Sequence, residues 1–276
     1  MPELPEVETT RRGLLPHVTG TRITATQVHR RDLRMQVPSR LEKAIKDAEI
    51  LTISRRSKYL LFHLNTAEIL LIHLGMSGSV RLEKPGFTLK KHDHVVWELS
   101  NQQHMVFHDP RRFGVITLFS QEESNTHPLL KKLGPEPFSK EFNASYVQQA
   151  LARRKGPIKP TLMDAKFVVG VGNIYASESL FSCCIHPDTP AHSLTKKQCA
   201  ALVKSVQTTL QAAIHSGGST LRDYVQSTGN TGYFQHSFAV YGRDGVPCLR
   251  CGDSIVHKVH AGRATYWCNS CQPYHP

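Results

Sequence analysis

The sequence lacks any apolar run approaching the roughly 20 residues of a membrane-spanning helix, and its acidic first residues contain no apolar segment typical of a signal peptide. We therefore expect a cytoplasmic protein without a membrane partner. Acidic residues are also fewer than basic ones: the chain has 22 Asp and Glu against 34 Lys and Arg, which gives a net charge of +12 with His neutral. Such an excess of positive charge is typical of proteins that bind a polyanion, most often nucleic acid.

A nucleotide-binding fingerprint is missing as well. The chain has no P-loop, and Gly170-Val171-Gly172-Asn173 falls short of the dinucleotide pattern because no glycine follows three residues after Gly172. The same turn leads into an apolar helical segment, and the free N–H groups at a helix start favour an anion. The turn predicts either a phosphate contact or a simple helix entry. No internal repeat or low-complexity tract is present.

Four of the seven cysteines form two Cys-x-x-Cys pairs near the C-terminus: Cys248 with Cys251, and Cys268 with Cys271. Two pairs separated by a segment long enough for a β-hairpin can hold one tetrahedral Zn²⁺, and four protein ligands make such an ion structural. Two disulfides are the alternative, but a reducing compartment favours the metal. We predict one structural zinc ion.

The order of predicted elements indicates an α+β protein. Residues 21–119 contain segments rich in Val, Ile, Leu and Phe that predict an antiparallel sandwich. Those segments are Arg22–His29, Ile50–Leu64, Glu68–Leu82, His94–Leu99, His104–His108 and Gly114–Phe119. Apolar residues recur at helical spacing farther on, predicting helices near 142–151, 161–166, 174–181 and 195–214, with strands at the end.

These patterns divide the chain into four parts. Residues 1–125 form a sandwich domain preceded by a short helix to about Leu15, and the polar residues 126–140 form a linker. Residues 141–236 form a helical domain with a polar loop at Ser227–Gly232, and residues 237–276 form the zinc hairpin.

The first residues, Met1-Pro2-Glu3-Leu4-Pro5-Glu6, admit two interpretations. Removal of Met1 would leave Pro2 with a free secondary amine that titrates near 7.7–8.0, roughly as other α-amino groups do, and such an amine can attack an aldehyde carbon. Glu3 beside it could move a proton. The alternative is an ordinary helix start, with Pro5 in the first turn and acidic residues complementing the helix dipole.

Three breaks in the strand region carry cations beside small or apolar residues. They are Arg55-Arg56-Ser57-Lys58, His73-Leu74-Gly75-Met76-Ser77-Gly78 and Asp109-Pro110-Arg111-Arg112-Phe113-Gly114. Cations hold phosphates, and apolar wedges fill the gap left by a base taken out of a duplex. The alternative places Met76 and Phe113 in the core and the arginines on a solvated edge.

Taken together, these stretches resemble the bacterial formamidopyrimidine-DNA glycosylases nearly from end to end. Further matching segments are Lys58-Tyr59-Leu60, His92-Asp93-His94 and Gly170-Val171-Gly172-Asn173-Ile174-Tyr175-Ala176. The sister endonuclease VIII proteins, which act on pyrimidine lesions, usually open with Pro-Glu-Gly-Pro-Glu, so Leu4 favours the branch that acts on purine lesions.

The resemblance implies an N-terminal β-sandwich with a catalytic N-terminal helix, then a helical domain with a helix–two-turn–helix element and a zinc β-hairpin. It further implies a monomeric enzyme on double-stranded DNA, associated with the bacterial nucleoid through that DNA. Its activity would be to excise 8-oxoguanine and formamidopyrimidines and then cut the strand at the abasic sugar.

Four catalytic positions follow from the same resemblance. Pro2 would attack C1′ of the damaged nucleotide, and Glu3 would donate a proton that helps to open the sugar. Lys58 would be the proton donor in β-elimination and Arg263 the donor in δ-elimination. A guanidinium is a poor acid, with a pKa above about 12, so Arg263 as a phosphate clamp is the alternative.

The resemblance also implies DNA contacts. Those residues are His73, Met76, His92, Arg111, Phe113, Lys155 and Asn173. His73 and Asn173 would hold phosphates, and Met76, Arg111 and Phe113 would fill the void, with Arg111 facing the orphaned cytosine. The damaged base would lie under the loop that follows residues 217–220.

Two positions depart from the family's commonest pattern: Ser57 stands where glycine usually precedes the lysine, and Ala264 where glycine often follows the arginine. Both are small, so we expect adjusted loops. The alternative function from a different class is a zinc-containing DNA-binding protein without catalytic activity. Such a protein would not require Pro2 or Glu3.

Overall fold

The computed structural model describes residues 2–219, 234–260 and 262–274, and these divide into two compact units. The first unit contains residues up to Lys131 together with the described residues 216–219. The second contains Lys132–His215 and the described residues from Phe234 onward. In the described part of the chain, no helix combines the length and apolar composition that crossing a bilayer requires.

The first unit is a sandwich of two four-stranded antiparallel sheets. One sheet has the order β1-β6-β7-β5 and the other β2-β3-β4-β8. Two helices, α1 (Leu4–Val18) and α2 (Leu41–Ala44), belong to the same unit. The strands are β1 (Ile23–Val28), β2 (Ile50–Arg56), β3 (Tyr59–Leu64), β4 (Glu68–His73), β5 (Ser79–Glu83), β6 (Asp93–Leu99), β7 (His104–His108) and β8 (Val115–Ser120).

The core of the sandwich is formed by aliphatic and aromatic side chains from both sheets. Phe62, Ile72, Trp97 and Phe107 are completely buried in one cluster, which also receives Val7 from α1. Burial of this apolar surface is the main stabilising contribution in such a unit. The predicted sandwich is therefore confirmed.

Two of the predicted strand segments each contain two strands: β2 and β3 form a hairpin, whereas β4 and β5 lie in different sheets. Residues 50–64 divide into β2 and β3 at a turn where Ser57 has φ +56°, and residues 68–82 divide into β4 and β5 around Gly75, whose φ is +68°. A left-handed residue ends a strand because L side chains rarely adopt that conformation. A β carbon on Gly75 would also lie 2.5 Å from the backbone nitrogen of Gly114, so glycine is required there.

The second unit is helical and ends in a two-stranded hairpin. Its helices are α3 (Ala144–Leu151), α4 (Ile158–Leu162), α5 (Asn173–Ser182) and α6 (Lys196–His215), and its strands are β9 (Ile255–His260) and β10 (Arg263–Cys268). The predicted helix at 161–166 begins earlier and ends earlier, because Asp164 accepts the backbone N–H of Lys166 in a turn. The predicted polar loop Ser227–Gly232 lies outside the described residues.

Candidate functional site

The N-terminus of α1 holds Pro2 and Glu3 in a buried position. The side chain of Glu3 is only 2% exposed, and the residue is the N-cap of the helix. Its backbone N–H donates to the Glu6 carboxylate at 2.8 Å, completing a capping box. In the unprocessed chain the Pro2 nitrogen is bonded to Met1, so it becomes an amine only after Met1 is removed.

Glu6 also connects the start of α1 to the far end of the first unit. Its second oxygen accepts hydrogen bonds from the backbone N–H and hydroxyl of Ser219, at 2.8 and 3.0 Å. Gly218 approaches so closely that an added β carbon would lie 3.2 Å from this oxygen. The Glu6 carboxylate thus binds Glu3 through one oxygen and Ser219 through the other, and it holds both residues at the start of α1.

A second carboxylate in α1 orders the turn that carries Lys58. Burial alone would raise the pKa of Glu8, but hydrogen bonds from Arg11 and Arg12 and the charge of Arg55 outweigh it and lower the pKa to about 2. Arg55 contacts Glu8 at 3.3 Å and donates to the Ser57 carbonyl at 2.8 Å. The half-buried Lys58 is therefore held on a turn joined to α1.

His73 is a neutral hydrogen-bond donor at the end of β4. Burial, and then the positive charges of Lys58 and Arg34, lower its pKa to about 4. Its Nδ1 accepts the N–H of Gly75 at 3.0 Å, which leaves the proton on Nε2. A neutral imidazole with Nε2–H available suits a phosphate oxygen.

The lowered pKa of His73 predicts a pH dependence of stability. An unfolded histidine titrates near about 6.5, whereas folded His73 titrates at about 4, so the unfolded state binds more protons between these values. The resulting stability is present above pH 6.5 and is lost as pH falls through the folded pKa. Urea unfolding from pH 7 to 4 should show a smaller stability loss for His73→Gln than for the unaltered protein, and equal losses would contradict the buried neutral imidazole.

The two loops that carry Met76, Arg111 and Phe113 present them to solvent. Met76 is 38% exposed and Phe113 is 42% exposed, so the alternative that they are core residues is wrong. The Arg111 guanidinium lies 5.1 Å from the centre of the Phe113 ring. Two large apolar side chains and a cation thus project from adjacent loops.

The fully buried side chain of Asp109 joins these loops. One carboxylate oxygen accepts the Ser77 hydroxyl at 2.8 Å, and the other accepts the N–H of Gly114 at 2.8 Å. The Ser77 oxygen in turn accepts the N–H of Arg111 at 3.2 Å. Asp109 also donates its own N–H to the carbonyl of His92 at 3.0 Å. Of the DNA contacts predicted in the first unit, Asp109 therefore supports the segments that carry Met76, His92, Arg111 and Phe113, but not His73.

In the second unit, Asn173 is the first residue of α5, and the side chain of Lys159 holds it there. Lys159 is 1% exposed and donates to Asn173 Oδ1, the carbonyl of Ala264 and the hydroxyl of Thr265 at 2.7, 3.0 and 2.8 Å. Asn173 also donates to the Ala264 carbonyl at 2.9 Å. Arg263 directly precedes Ala264, whose carbonyl accepts these hydrogen bonds, and Arg263 itself is exposed. Lys155 is also exposed.

Replacing Lys159 by methionine should separate the hairpin from α5. The three oxygen acceptors would lose a charged donor in a buried place, which costs about 3 kcal/mol of unfolding free energy. Chemical unfolding measures this loss, and the exposed Lys204→Met on α6 is the matched control, expected to change stability by less than about 0.5 kcal/mol. Equal stabilities for the two variants would contradict the anchoring role.

The four cysteines of the C-terminal pairs converge on one point. The Sγ atoms of Cys248, Cys251, Cys268 and Cys271 all lie within 4.8 Å of one another. The Sγ atoms of Cys248 and Cys271 are 3.9 Å apart, and those of Cys251 and Cys268 are 3.4 Å apart. Four sulfurs at about 2.3 Å from one zinc ion are about 3.8 Å apart. The donor set and its spacing therefore fit one tetrahedral zinc ion that connects the two ends of the β9–β10 hairpin.

Comparisons with known proteins agree along the whole chain. The formamidopyrimidine-DNA glycosylase N-terminal domain matches residues 1–116, the H2TH domain of that enzyme matches 133–225, and a zinc finger found in FPG and IleRS matches 245–273. The formamidopyrimidine-DNA glycosylase of Klebsiella pneumoniae is 49% identical over 272 residues, covering 99% of this chain and 100% of the relative. The chain belongs to the formamidopyrimidine-DNA glycosylase family.

Solved structures of the family have the same fold. A Lactococcus lactis variant in complex with DNA containing Fapy-dG has a TM-score of 0.93 at 35% identity, covering 99% of this chain and 100% of that one. The Thermus thermophilus protein has a TM-score of 0.89 at 40% identity, with both chains fully covered. The α+β fold with a four-cysteine zinc finger is therefore that of the formamidopyrimidine-DNA glycosylase family.

In this family member, removing one zinc ligand should release the metal. Cys268→Ser leaves three thiolates, so metal analysis should find less than one zinc ion per chain, and tight DNA binding measured by fluorescence anisotropy should be lost. The exposed Cys184→Ser lies outside the four-cysteine cluster and is the control. Full zinc content in Cys268→Ser would contradict the four-ligand site.

Sequence reasoning missed the residues that hold the formamidopyrimidine-DNA glycosylase site together. Lys159 and Asp109 were not identified as anchors, and Ser77 was only one letter of a matching segment. The sole signal was a charged residue within an apolar stretch, as in Pro157-Ile158-Lys159-Pro160. The loop predicted to cover the damaged base, which follows residues 217–220, lies outside the described residues.

Proposed function

We propose that this chain is a bifunctional DNA glycosylase and AP lyase of base excision repair that removes 8-oxoguanine and formamidopyrimidines from double-stranded DNA. The observation that carries the proposal is the buried Pro2-Glu3 pair at the start of α1, held by the Glu6 capping box. A DNA-binding protein without catalytic activity has no use for a processed proline beside a buried carboxyl group.

The first chemical step forms a covalent bond to the protein. The free Pro2 nitrogen attacks C1′ as the bond from C1′ to the damaged base breaks, and the base leaves with the electron pair and takes up the proton that the Pro2 nitrogen loses. Glu3 donates a proton to the ring oxygen O4′, the C1′–O4′ bond breaks, and an iminium remains between Pro2 and the opened sugar.

Strand cleavage follows from the iminium. Loss of a proton from C2′ allows the 3′ phosphate to leave by β-elimination, and Lys58 serves as the proton donor of this step. A second elimination releases the 5′ phosphate, with Arg263 beside the leaving group. Because a guanidinium holds its proton firmly, we assign Arg263 the stabilisation of the leaving phosphate; the family assignment as proton donor is the alternative.

Binding residues complete the proposal. His73, through its Nε2–H, and Asn173 at the start of α5 contact phosphates around the extruded nucleotide, with His92 and Lys155 contacting the DNA backbone. Met76, Arg111 and Phe113 enter the duplex and fill the space left by the damaged base, with Arg111 facing the opposite cytosine. Zinc, when bound to Cys248, Cys251, Cys268 and Cys271, stabilises the hairpin that carries Arg263.

Domain limits and location are parts of the same proposal. We retain a catalytic domain at residues 1–125, a linker at 126–140, a helix–two-turn–helix domain at 141–236 and a zinc finger at 237–276. The protein acts as a monomer in the bacterial cytoplasm, at the nucleoid.

A lesion panel tests the substrate class. Under single-turnover conditions, the processed protein should release 8-oxoguanine opposite cytosine faster than it releases an oxidised pyrimidine, and Glu3→Gln should slow release about 10²–10⁴-fold because a proton donor is lost. Faster release of the oxidised pyrimidine would favour the endonuclease VIII alternative. No release of any base would favour the non-catalytic one.

A further inference from the structure

The first unit contains a basic cavity of about 350 Å³ beside the Arg111 loop. Its lining consists of His29, Arg30, Lys91, His92, Asp93, His94, Pro110 and Arg112. Of these residues the resemblance assigned only His92 to DNA. The cavity lies where the end of β1, the start of β6 and the loop after β7 meet.

The position of the cationic side chains is fixed by the backbone around them. The N–H groups of His29 and Arg30 both donate to the carbonyl of His94, at 2.9 and 3.3 Å. The His94 ring, which lines the cavity, donates from Nε2 to the backbone carbonyl of Asp109 at 2.8 Å, and the carboxylate of the same Asp109 joins the loops of Met76 and Phe113. The cavity and the void-filling loops therefore share one support.

The charges in the cavity favour an anion. Asp93 is the acidic residue of the lining, and its side chain has no solvent exposure because Arg81 binds both its oxygens, at 2.8 and 2.7 Å. Asp32 lies between Arg30 and Arg112 and contacts each at 2.6 Å, which orders the two guanidinium groups. Among the described residues, Lys91 and His29 form no ion pair, so they retain their capacity to bind a ligand.

The cavity is large enough to admit a phosphate group with its ester oxygens, and its cationic lining suits a monoanion held by several donors. We propose that this cavity binds one backbone phosphodiester of duplex DNA, through Arg30, Lys91 and Arg112, beside the point where Arg111 and Phe113 enter the duplex. The inference rests on the proposed function, because DNA is the polyanion that brings phosphodiesters to this surface.

Salt dependence of binding tests the inference. The protein binds an undamaged duplex at increasing KCl concentration, and the slope of log K against log salt counts the phosphates that it neutralises. Arg30→Ala and Lys91→Ala should each reduce this slope by about 1, whereas Lys46→Ala, which removes an exposed cation outside the cavity lining, should leave it unchanged. Slopes of both cavity variants equal to that of Lys46→Ala would overturn the proposal.

Two parallel measurements separate the possible failures. Titration of inorganic phosphate, followed by the ring signals of His29 in NMR spectra, tests for a small-anion site; a shift without any change of the DNA slopes would overturn the phosphodiester assignment. Borohydride trapping of the unaltered protein on damaged DNA tests the proposed function by itself. If the protein is trapped on damaged DNA and the slopes of the cavity variants are unchanged, only the proposed phosphodiester site is contradicted. If the unaltered protein is not trapped, the proposed glycosylase function is contradicted.

Discussion

Protein that retains Met1 should bind DNA containing 8-oxoguanine with unchanged affinity and release the base at least about 10⁴-fold more slowly, because the covalent route is lost with its nucleophile. The Pro2 nitrogen is then a tertiary amide without a usable lone pair. Single-turnover release of the base, measured before and after treatment with methionine aminopeptidase, gives both states from one preparation.

The same preparation provides the control for this prediction. Binding measured by anisotropy should be equal in both states, because the cations of the binding surface do not change. Fast base release by protein with intact Met1 would show that another group is the nucleophile, and Lys58 would then be the first candidate.

Asp109→Asn should reduce action on duplex DNA much more than action on single-stranded DNA. The amide keeps the size of the carboxylate, but it cannot accept strongly from both Ser77 and Gly114, so the loops of Met76 and Phe113 lose their common support. Unfolding free energy should fall by about 1–3 kcal/mol. A displacement of about 1 Å in the positioning groups can cost about 100-fold in rate.

The substrate comparison separates positioning from general damage. Imine formation on a single-stranded abasic site needs no filling of a duplex void, so Asp109→Asn should lower it less than tenfold while lowering 8-oxoguanine release from duplex about 10–100-fold. Preference for cytosine over adenine opposite the lesion should also weaken, because the backbone N–H of Arg111 donates to the Ser77 hydroxyl, which itself donates to Asp109. Ser77→Ala should change both quantities in the same direction by a smaller factor. Equal losses on both substrates would contradict the positioning role.

Much of the fold could be predicted from local sequence patterns. The Cys-x-x-Cys pairs predicted the metal site because both ligands of a pair lie within one turn, and alternating apolar segments predicted the sandwich. The sequence indicated breaks at Ser57 and Gly75, but it did not show that the first is a hairpin turn and that the second leads the chain into the other sheet, because each turn rests on one left-handed residue and apolar residues continue on both sides.

Long-range contacts could not be predicted from one sequence. Lys159 contacts Thr265, 106 residues away, and Glu6 contacts Ser219, 213 residues away. Neither pair has a local pattern, because their partners meet only after both segments have folded. The exposure of Met76 and Phe113 likewise depends on the tertiary structure, since either side chain could equally have entered the core.

The central claim is that the N-terminal amine of Pro2 forms an iminium with the sugar of a damaged nucleotide. Borohydride reduction of the fully processed protein mixed with a duplex carrying 8-oxoguanine opposite cytosine, followed by peptide mapping of the cross-linked species by mass spectrometry, measures this directly. We expect one cross-link per chain, located on Pro2. A cross-link on Lys58 or any other residue, or no cross-link, would contradict the account.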